Sequence, residues 1–559
     1  MTHRCRSFVP KICPLRSQGC EPHGVFRRYG GSRPSVERSM MIYKRRFVAT
    51  GLAIAATQLL IACGTGSAGG PAGTPSARTS ATVLTLGELR TLDPAKMGNN
   101  FASGGVVGNA LFGTLLVDDP SSGDIRPSMG EAFTTADGGQ TFELKLLDRL
   151  VFTDGSPLDA EAVKYNWDRM RDPATGSPYR SDASMVASTT VVDRTRLRVT
   201  MTQPVPNFAH SVVTTSMNWI ASPAALAAGA QAFDANPIGA GPFTLKAWRR
   251  DDAMELVKNP KYWDAPKPYL DHLTLRPSVD AAQRVNTVTN NDADAAIESN
   301  WQNLKKANEA GLQTIMQPLS GGNYIAMNMR RAPFDDNRAR AALAAAINPQ
   351  ALNESAFDGA GLLVDTLFTT MSSFHADIPA SSPDRATAQR LFDELAAAGK
   401  PLSFTFTVTS ATENRAQAEA IQAQLRTFRN VSITIKTVEL AQLQTLQTSH
   451  DFDATVTSAA FLDPEPRLWT AFRGDSPSNM SGVDDQQLNA ALLAGRTTTT
   501  DDQRRAAYDT VQQRLVDLHP MIWIARTACA AIATKTVGGL IQYGFGSLRP
   551  EELWIGAQP

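Results

Sequence analysis

Histidines and paired carboxylates are the side chains of this sequence that could catalyse a reaction. From residue 63 onward there are five histidines, with no spacing typical of a metal site or catalytic dyad: His210, His272, His375, His450 and His519. Asp335-Asp336 and Asp501-Asp502 stand where helices are expected to begin, and the helix dipole favours acidic residues there without any acid–base role. Gly399-Lys400 is followed by proline, and no G-x-S-x-G or H-E-x-x-H motif occurs. The sequence therefore predicts no enzymatic activity, no metal site and no cofactor.

Cys63 is a candidate for a different chemistry, covalent modification by lipid. Residues 44–64 read KRRFVATGLAIAATQLLIACG, a basic head followed by an apolar run of about fifteen residues, too short to span a bilayer comfortably. The run ends at Leu60-Ile61-Ala62-Cys63, which resembles a bacterial lipobox. Cleavage there would leave Cys63 as the first residue, and two or more acyl chains on it would hold the protein on a membrane. A chance cysteine after a buried helix remains the alternative.

The segments around this motif have distinct compositions. Residues 41–62 are interpreted as a lipoprotein signal peptide, and residues 63–81, which are small and polar, as a flexible tether. Residues 1–40 hold three of the five cysteines and eight arginines or lysines, and do not fit a signal peptide. We interpret them as a mis-assigned start upstream of Met40 or Met41, with a real cytoplasmic extension as the alternative.

The charge balance excludes a nucleic-acid partner for the remainder of the chain. Residues 63–559 carry 43 lysines or arginines and 52 aspartates or glutamates, a net charge of −9 with no basic stripe. Their two cysteines are Cys63 and Cys529, so no disulfide is expected if the first carries lipid. Such a length suggests two or three lobes with a large core.

The periodicity of apolar residues indicates a mixed α/β fold. Residues 402–408 alternate apolar and polar, as in a half-buried strand, and residues 431–435 do the same. Helix-forming residues 413–427 lie between them, which predicts a βαβ unit. Ser382-Pro383 predicts a helix start, and Thr500 to Gln503 predicts a capping box before a helix that ends near Leu518.

A series of sequence blocks then follows in one order. They are Leu92-Asp93-Pro94, LFGTLLVDD (111–119), GEAF (130–133), DGGQTFELKL (137–146), LVFTDGSPLDAEAVKYNWDR (150–169), PIGAGPF (237–243), KNPKYW (258–263), PYLDHLTL (268–275), MNMRRAPFDDNRARAALAAAIN (327–348), DFDA (451–454) and DPEP (463–466). In this order they resemble the family 5 extracellular solute-binding proteins of bacterial ABC importers, the oligopeptide- and dipeptide-binding type. The resemblance covers nearly all of residues 82–556.

This resemblance implies a fold and a function. The fold would be α/β, of the two-lobed periplasmic-binding-protein-like type (type II, cluster C) with an inserted domain. The first lobe would comprise residues 82–117, 237–327 and 525–559, the inserted domain 118–236, and the second lobe 328–524. The protein would be an exported, lipid-anchored component that captures a peptide or similar small solute and delivers it to an ABC permease, whose separate ATPase subunit consumes ATP.

The same resemblance implies which residues contact the ligand. One segment is Gly98, Asn99, Asn100 and Phe101, and the other comprises Ala459, Phe461, Leu462 and Asp463. Peptide-binding members place a tryptophan and, three residues later, an aspartate that pairs with the ligand's ammonium; here Ala459 and Leu462 occupy those places. Either Asp463 takes the role by a one-residue shift, or the ligand lacks a free amino terminus.

Two functions of other classes stay open at this point. One is an exported hydrolase, which a nucleophile and base in the cleft would favour. The other is an envelope lipoprotein of the same fold that binds a protein partner as a regulator and transports nothing. Permease and ATPase genes beside the gene for this chain would favour transport.

The lipobox interpretation predicts that Cys63→Ser prevents lipid attachment, because serine offers no thiol for the thioether bond. Labelling with a fatty-acid probe should disappear, and the protein should leave the membrane fraction. Cys529→Ser serves as the control and should keep the label. Unchanged labelling of Cys63→Ser would contradict the interpretation.

Overall fold

The computed structural model describes residues 79–120, 122–380 and 382–558, which all belong to one unit of the chain. The predicted signal peptide, most of the predicted tether, and Cys63 lie outside the described residues. No helix among those described is long and apolar enough to cross a membrane.

The first described elements include a strand and a helix that is buried along its whole length. The helix sequence GGVVGNALF contains no charged residue, and every one of its nine residues is buried. Gly239 and Gly241 of the PIGAGPF block lie directly against it, and a Cβ on Gly241 would come within 2.4 Å of the Ala110 carbonyl oxygen. These elements are β1 (Ser80–Thr85), α1 (Gly104–Phe112), β2 (Leu116–Asp118) and β3 (Ile125–Pro127).

The next elements form an antiparallel four-stranded sheet with helices, which we call the inserted domain. Asp159 caps α2 by accepting from the Ala162 N–H, and α2 buries Val163 and Trp167. Arg169 of this helix forms a bidentate ion pair with Asp93, at 2.7 and 3.0 Å, so two of the sequence blocks are in contact. The elements are β4 (Gly130–Thr135), β5 (Thr141–Leu146), α2 (Ala160–Arg171), α3 (Arg180–Ala183), β6 (Val186–Val191), β7 (Arg196–Met201), α4 (Phe208–Thr214), α5 (Pro223–Ala227) and α6 (Ala230–Ala235), with strand order β4-β5-β7-β6.

The chain then returns to β1 and extends its sheet on both sides. β1 lies parallel to β10 and β11, and its residues Val83 and Leu84 are buried. The added elements are β8 (Phe243–Arg249), β9 (Ala253–Lys258), β10 (His272–Pro277), α7 (Ala281–Thr289), β11 (Ala295–Glu298), α8 (Trp301–Glu309) and β12 (Gln313–Met316). We call this sheet with its helices the first lobe.

A second sheet of five strands follows, with helices packed on it, and we call this body the second lobe. Phe404 and Phe406 of its strand β14 are buried in a core that also includes Leu84 and Trp301 of the first lobe. Its elements are β13 (Ser320–Met327), α9 (Asn337–Ala346), α10 (Pro349–Phe357), α11 (Arg385–Ala397), β14 (Leu402–Thr409), α12 (Thr412–Leu425), β15 (Val431–Val438), α13 (Leu440–Ser449), β16 (Ala454–Phe461), α14 (Arg467–Phe472), α15 (Gln486–Thr497), α16 (Asp501–Leu518) and β17 (Met521–Ala525), with strand order β15-β14-β16-β13-β17.

The last segment crosses back to the first lobe and completes its sheet. The crossing lies at residues 526–529, beside the outward crossing at 317–319, and Leu319 and Cys529 pack together there. The elements are β18 (Ala530–Ala533), β19 (Val537–Gly538), β20 (Gln542–Tyr543), β21 (Ser547–Leu548) and β22 (Trp554–Ile555). The first lobe's sheet thus has the order β12-β18-β11-β1-β10-β9-β8.

The local sequence predictions have mixed outcomes. β14 and β15 are parallel with α12 between them, so the predicted βαβ unit is confirmed. The predicted helix start at Ser382-Pro383 is wrong, because Asp384 caps α11 by accepting from the Ala386 and Thr387 N–H groups. The predicted capping box is also wrong: α16 begins at Asp501, but the side chain of Thr500 caps nothing.

The predicted lobe boundary at residue 327 requires one correction. β13 pairs with β16 and β17, so Ser320–Met327 belongs to the sheet of the second lobe. This strand alternates little, since seven of its eight residues are buried, and the sequence carries no sign of which sheet it joins. The other predicted boundaries stay predictions.

The C-terminal turn between β20 and β21 fastens the first lobe to the inserted domain through buried polar groups. Tyr543 donates its hydroxyl hydrogen bond to Asn109 Oδ1 at 2.8 Å, and the indole N–H of Trp219 donates to the same oxygen at 3.0 Å. The Gly544 N–H donates to Asp118 Oδ1 at 2.6 Å. Burial raises the pKa of Asp118 to about 7, although the bond from Gly544 opposes the shift.

This pKa predicts a pH-dependent stability. The carboxyl of Asp118 binds its proton more tightly in the folded than in the unfolded chain, so its contribution is complete at low pH and is lost as pH rises through about 7. Asp118→Asn keeps the acceptor oxygen and cannot ionise. We expect its melting temperature to exceed that of the unmodified protein at pH 8, with the difference shrinking at pH 5, as measured by circular dichroism.

A matched control is Asp148→Asn in the inserted domain, whose side chain is 82% exposed. It should show no comparable change of the difference with pH. An equal effect of Asp118→Asn at both pH values would contradict the assignment.

Candidate functional site

A cavity of ≈ 290 Å³ lies where the two lobes and the inserted domain meet. The segment after β1 lines one side, the inserted domain a second, and the segment after β16 a third. The segment at the carboxyl end of β16 lines this cavity, and ligands of open α/β sheets bind outside such carboxyl ends. The lining residues are Asn99–Ala102, 178, 179, 181, 182, 214, 215, 460–463, 465–467, 470, 478, 544 and 545.

The cavity brings together most of the residues that the sequence predicts for ligand contact. They are Asn99, Asn100, Phe101, Phe461, Leu462 and Asp463. Ala459 does not line the cavity, because it lies farther from the end of β16, in the core of the second lobe. Gly98 does not line it either. A Cβ on Gly98 would lie 2.8 Å from Asn100 Nδ2, so this glycine allows the segment to fold against itself.

Asn99 is held by hydrogen bonds within the protein. Its amide nitrogen donates to the carbonyl oxygens of Val213 and Thr215, at 2.9 and 3.2 Å, and its oxygen accepts from the Ser547 hydroxyl at 2.7 Å. Its side chain therefore fastens the loop to the inserted domain and the C-terminal turn. The neighbouring side chain, Asn100, uses its oxygen to accept from the Ala102 N–H at 3.1 Å.

Asp463 lines the cavity, and its carboxylate forms an ion pair with Arg504. Both of its oxygens accept from the guanidinium of Arg504, at 2.6 and 2.8 Å, and one also accepts from the Glu465 N–H at 2.9 Å. Burial alone would raise the pKa of Asp463, but the charge of Arg504 outweighs it and holds the pKa below its usual range. The carboxylate is thus ionised and neutralised by the protein itself.

His210 of the inserted domain faces this ion pair from across the cleft. Its Nε2 lies 3.6 Å from Asp463 Oδ2. Burial lowers the pKa of His210, against the opposing attraction of Asp463, so the imidazole is neutral at pH 7. The contact joins the inserted domain to the second lobe.

A second buried ion pair fixes the segment after Asp463. Glu465 accepts from Arg496 at 2.7 and 2.8 Å, and the Arg496 guanidinium lies 3.6 Å from the ring centroid of Trp469. Burial raises the pKa of Glu465 despite the attraction of Arg496. These contacts hold the start of α14 rigidly at the edge of the cavity.

Two charged side chains in the cavity wall lack an ion-pair partner among the described residues. Arg467 is exposed, and its guanidinium lies 5.2 Å from the ring centroid of Phe545 with no carboxylate within 4.0 Å. Asp182 is only 8% exposed and has no lysine, arginine or histidine nitrogen within ion-pair distance. Burial raises the pKa of Asp182 to about 6, although Arg467 and Arg496 are near enough to oppose the shift.

Asp182, Arg467 and His210 are not among the site residues predicted from the sequence. Asp182 lies in a four-residue helix of the sequence RSDA, which is typical of a polar surface turn. Arg467 directly follows the DPEP block, and this position was the one feature of the sequence that could have indicated a place in the site. Asp182 and Arg467 are notable because they have no ion-pair partner among the described residues, and His210 because it lies beside Asp463, and only the folded arrangement reveals either feature.

In the part of the chain that the structure describes, no group of three or more histidine, cysteine, aspartate or glutamate side chains is arranged to hold a metal ion. Larger cavities of ≈ 400 and ≈ 650 Å³ lie on the second lobe and the inserted domain. Neither is lined by both lobes, so we assign the candidate site to the cleft.

Comparison with known proteins agrees with this architecture. The agropinic-acid complex of AgaA from A.tumefacien R10 superposes with a TM-score of 0.74 at 23% identity, covering 86% of this chain and 99% of that one. The nonapeptide complex of AppA from Bacillus subtilis gives 0.74 at 19% identity, covering 87% and 100%. The predicted α/β, periplasmic-binding-protein-like fold class is thereby confirmed.

Sequence comparison shows the family. The glutathione-binding protein GsiB of Shigella boydii is 28% identical over 354 residues, which are 63% of this chain and 68% of GsiB. The sequence model described as "Bacterial extracellular solute-binding proteins, family 5 Middle" matches residues 124–479, more than half of the chain. The chain therefore belongs to family 5 of the bacterial extracellular solute-binding proteins, the solute-binding components of ABC importers.

Proposed function

We propose that this protein captures a peptide or a similar small solute in the cleft and delivers it to an ABC permease. The cleft, lined jointly by both lobes and the inserted domain, carries this proposal. The glutathione-binding and peptide-binding names of the relatives point to the same class of solute. The chain itself makes or breaks no bond, and a separate subunit consumes ATP.

The proposed location follows from the N-terminal sequence. The protein is exported and stays on the cell envelope through lipid on Cys63, with residues 63–81 as the tether. The family's extracellular character supports export. A tethered binding protein remains close to the permease, which raises its effective concentration at the docking surface.

Contacts from opposite sides of the cleft couple binding to closure. A ligand shifts an open–closed equilibrium only by its differential affinity for the two states. Asn100 and Phe101 come from the first lobe, and Leu462 from the second, so a solute that touches all three is held fully only when the lobes are together. The closed form is the one that would dock on the permease.

We expect purified protein to bind short peptides and to return them unchanged. Isothermal titration calorimetry with glutathione and with mixtures of dipeptides and tripeptides tests binding, and mass spectrometry of the recovered solute tests whether it stays intact. Asn100→Ala should weaken binding with little change in the melting temperature of the empty protein, because its side chain bonds only within its own loop. Asn99→Ala is the contrasting variant and should lower that melting temperature.

A peptide product that accumulates with time and disappears on mutation of a cleft residue would contradict a binding function. Absence of binding to any peptide in the mixtures would contradict the proposed class of solute.

We expect substitution of Asp463 to lower the free energy of unfolding more than it weakens binding of a positively charged ligand. Asp463→Asn leaves the guanidinium of Arg504 buried without its counter-ion, and breaking a buried pair costs about 3–5 kcal/mol. Urea unfolding should show this loss. Asp485→Asn is the matched control, since its pair with Arg514 has side chains 21–22% exposed and should cost clearly less. A large loss of affinity for amine-bearing peptides, with unchanged stability, would instead assign Asp463 to the ligand's ammonium.

A further inference from the structure

We infer that Asp182 and Arg467 select a short zwitterionic solute that is free at both ends. Asp182 binds the cationic nitrogen of this solute, and Arg467 binds its carboxylate. This assignment rests on the proposed function, and it places the ammonium site on the inserted domain instead of the segment before DPEP.

Arg467 differs from the arginines around it. Arg496 and Arg504 are buried and each has its own carboxylate, Glu465 and Asp463 respectively. Arg467 is exposed in the cavity wall, where its guanidinium lies near the ring of Phe545. A guanidinium presents a planar fork of donors that matches a carboxylate in a bidentate manner. The geometry therefore suits the carboxylate of a solute.

Asp182 carries a negative charge and lies in the inserted domain, whereas Arg467 lies in the second lobe. It is more than nine-tenths buried in the cavity wall, and its carboxylate forms no ion pair or hydrogen bond with another side chain among the described residues. Burying a carboxylate without a counter-ion is costly. Arg467 and Arg496 attract it from a distance and do not reach it. An ammonium group placed in the cavity would supply the missing partner.

Asp463 cannot supply the same interaction without losing one it already has. Its two oxygens are occupied by Arg504 and the Glu465 N–H, and His210 lies beside them. An ammonium at Asp463 would have to compete with a guanidinium that is itself buried. Among residues 79–120, 122–380 and 382–558, no lysine, arginine or histidine lies within ion-pair distance of Asp182 to compete in this way.

The size of the cavity limits the length of the solute. Ligand pockets span roughly 300–1,000 Å³, so a volume of ≈ 290 Å³ lies just below that range and suits a short solute. Since Asp182 belongs to the inserted domain and Arg467 to the second lobe, a solute with both charges bridges the two bodies.

Competition mass spectrometry tests this assignment on the purified full-length mature protein. The probe is an equimolar mixture of dipeptides of varied side chains, each present in free, N-acetylated and C-amidated form. The unmodified protein should retain the free forms over either blocked form by more than about tenfold. Asp182→Asn should lose discrimination against N-acetylation and keep that against amidation, and Arg467→Gln should do the reverse.

Control variants are Asp148→Asn in the inserted domain and Arg473→Gln in the second lobe, which should discriminate like the unmodified protein. Arg467 is exposed, so its variant is expected to fold even if Asp182→Asn does not, and melting temperatures establish this. Unchanged discrimination in the Asp182 and Arg467 variants, with free dipeptides still retained, would overturn the assignment and leave the proposed function standing. Retention of no dipeptide in any form would overturn both.

Discussion

The ion pair between Asp463 and Arg504 is the interaction on which the arrangement of the cleft depends. Two buried, opposite charges in bidentate contact at 2.6 and 2.8 Å fix the end of β16 against α16. Because their charges cancel, the remainder of the cavity wall is not forced to neutralise either of them. The carboxylate of Asp463 also contacts the His210 imidazole, so the same pair helps to hold the inserted domain against the second lobe.

The cancellation of these charges determines which side chains remain for a solute. Glu465 is likewise paired, with Arg496, and Asn99 has its amide bonded to the backbone of the inserted domain. What remains is a wall with one buried carboxylate, Asp182, and one exposed guanidinium, Arg467. A solute with complementary charges gains from both, and it gains most when the lobes are closed.

Much of the fold could be predicted from the sequence, because its signals are local and repeated. The alternation in β14 and β15 and the polar helix between them predict a βαβ unit. The ordered family blocks predict the architecture. The assignment of β13 to the second sheet was not predictable, because a strand that is buried on both faces carries no alternation and its partners are distant in the sequence.

The sequence predicted which two segments line the site, but it did not predict what each side chain does there. The sequence predicted that Asn100, Phe101, Leu462 and Asp463 share one cleft, and the structure places them in one cavity. It could not show that Arg504, forty-one residues beyond Asp463, occupies that carboxylate. Nor could it show that Asp182 and Arg467 have no ion-pair partner in the part of the chain that the structure describes, since this depends on distances between segments far apart in the chain.

A crystal structure of the protein purified from its native cells with its co-purifying solute would show directly where the solute binds. We expect density for a small solute in the cavity bounded by Asn100, Leu462 and Arg467, with the lobes closed over it. Density for the solute in the larger cavity on the second lobe, or a closed cleft that holds none while the solute is bound elsewhere, would contradict it.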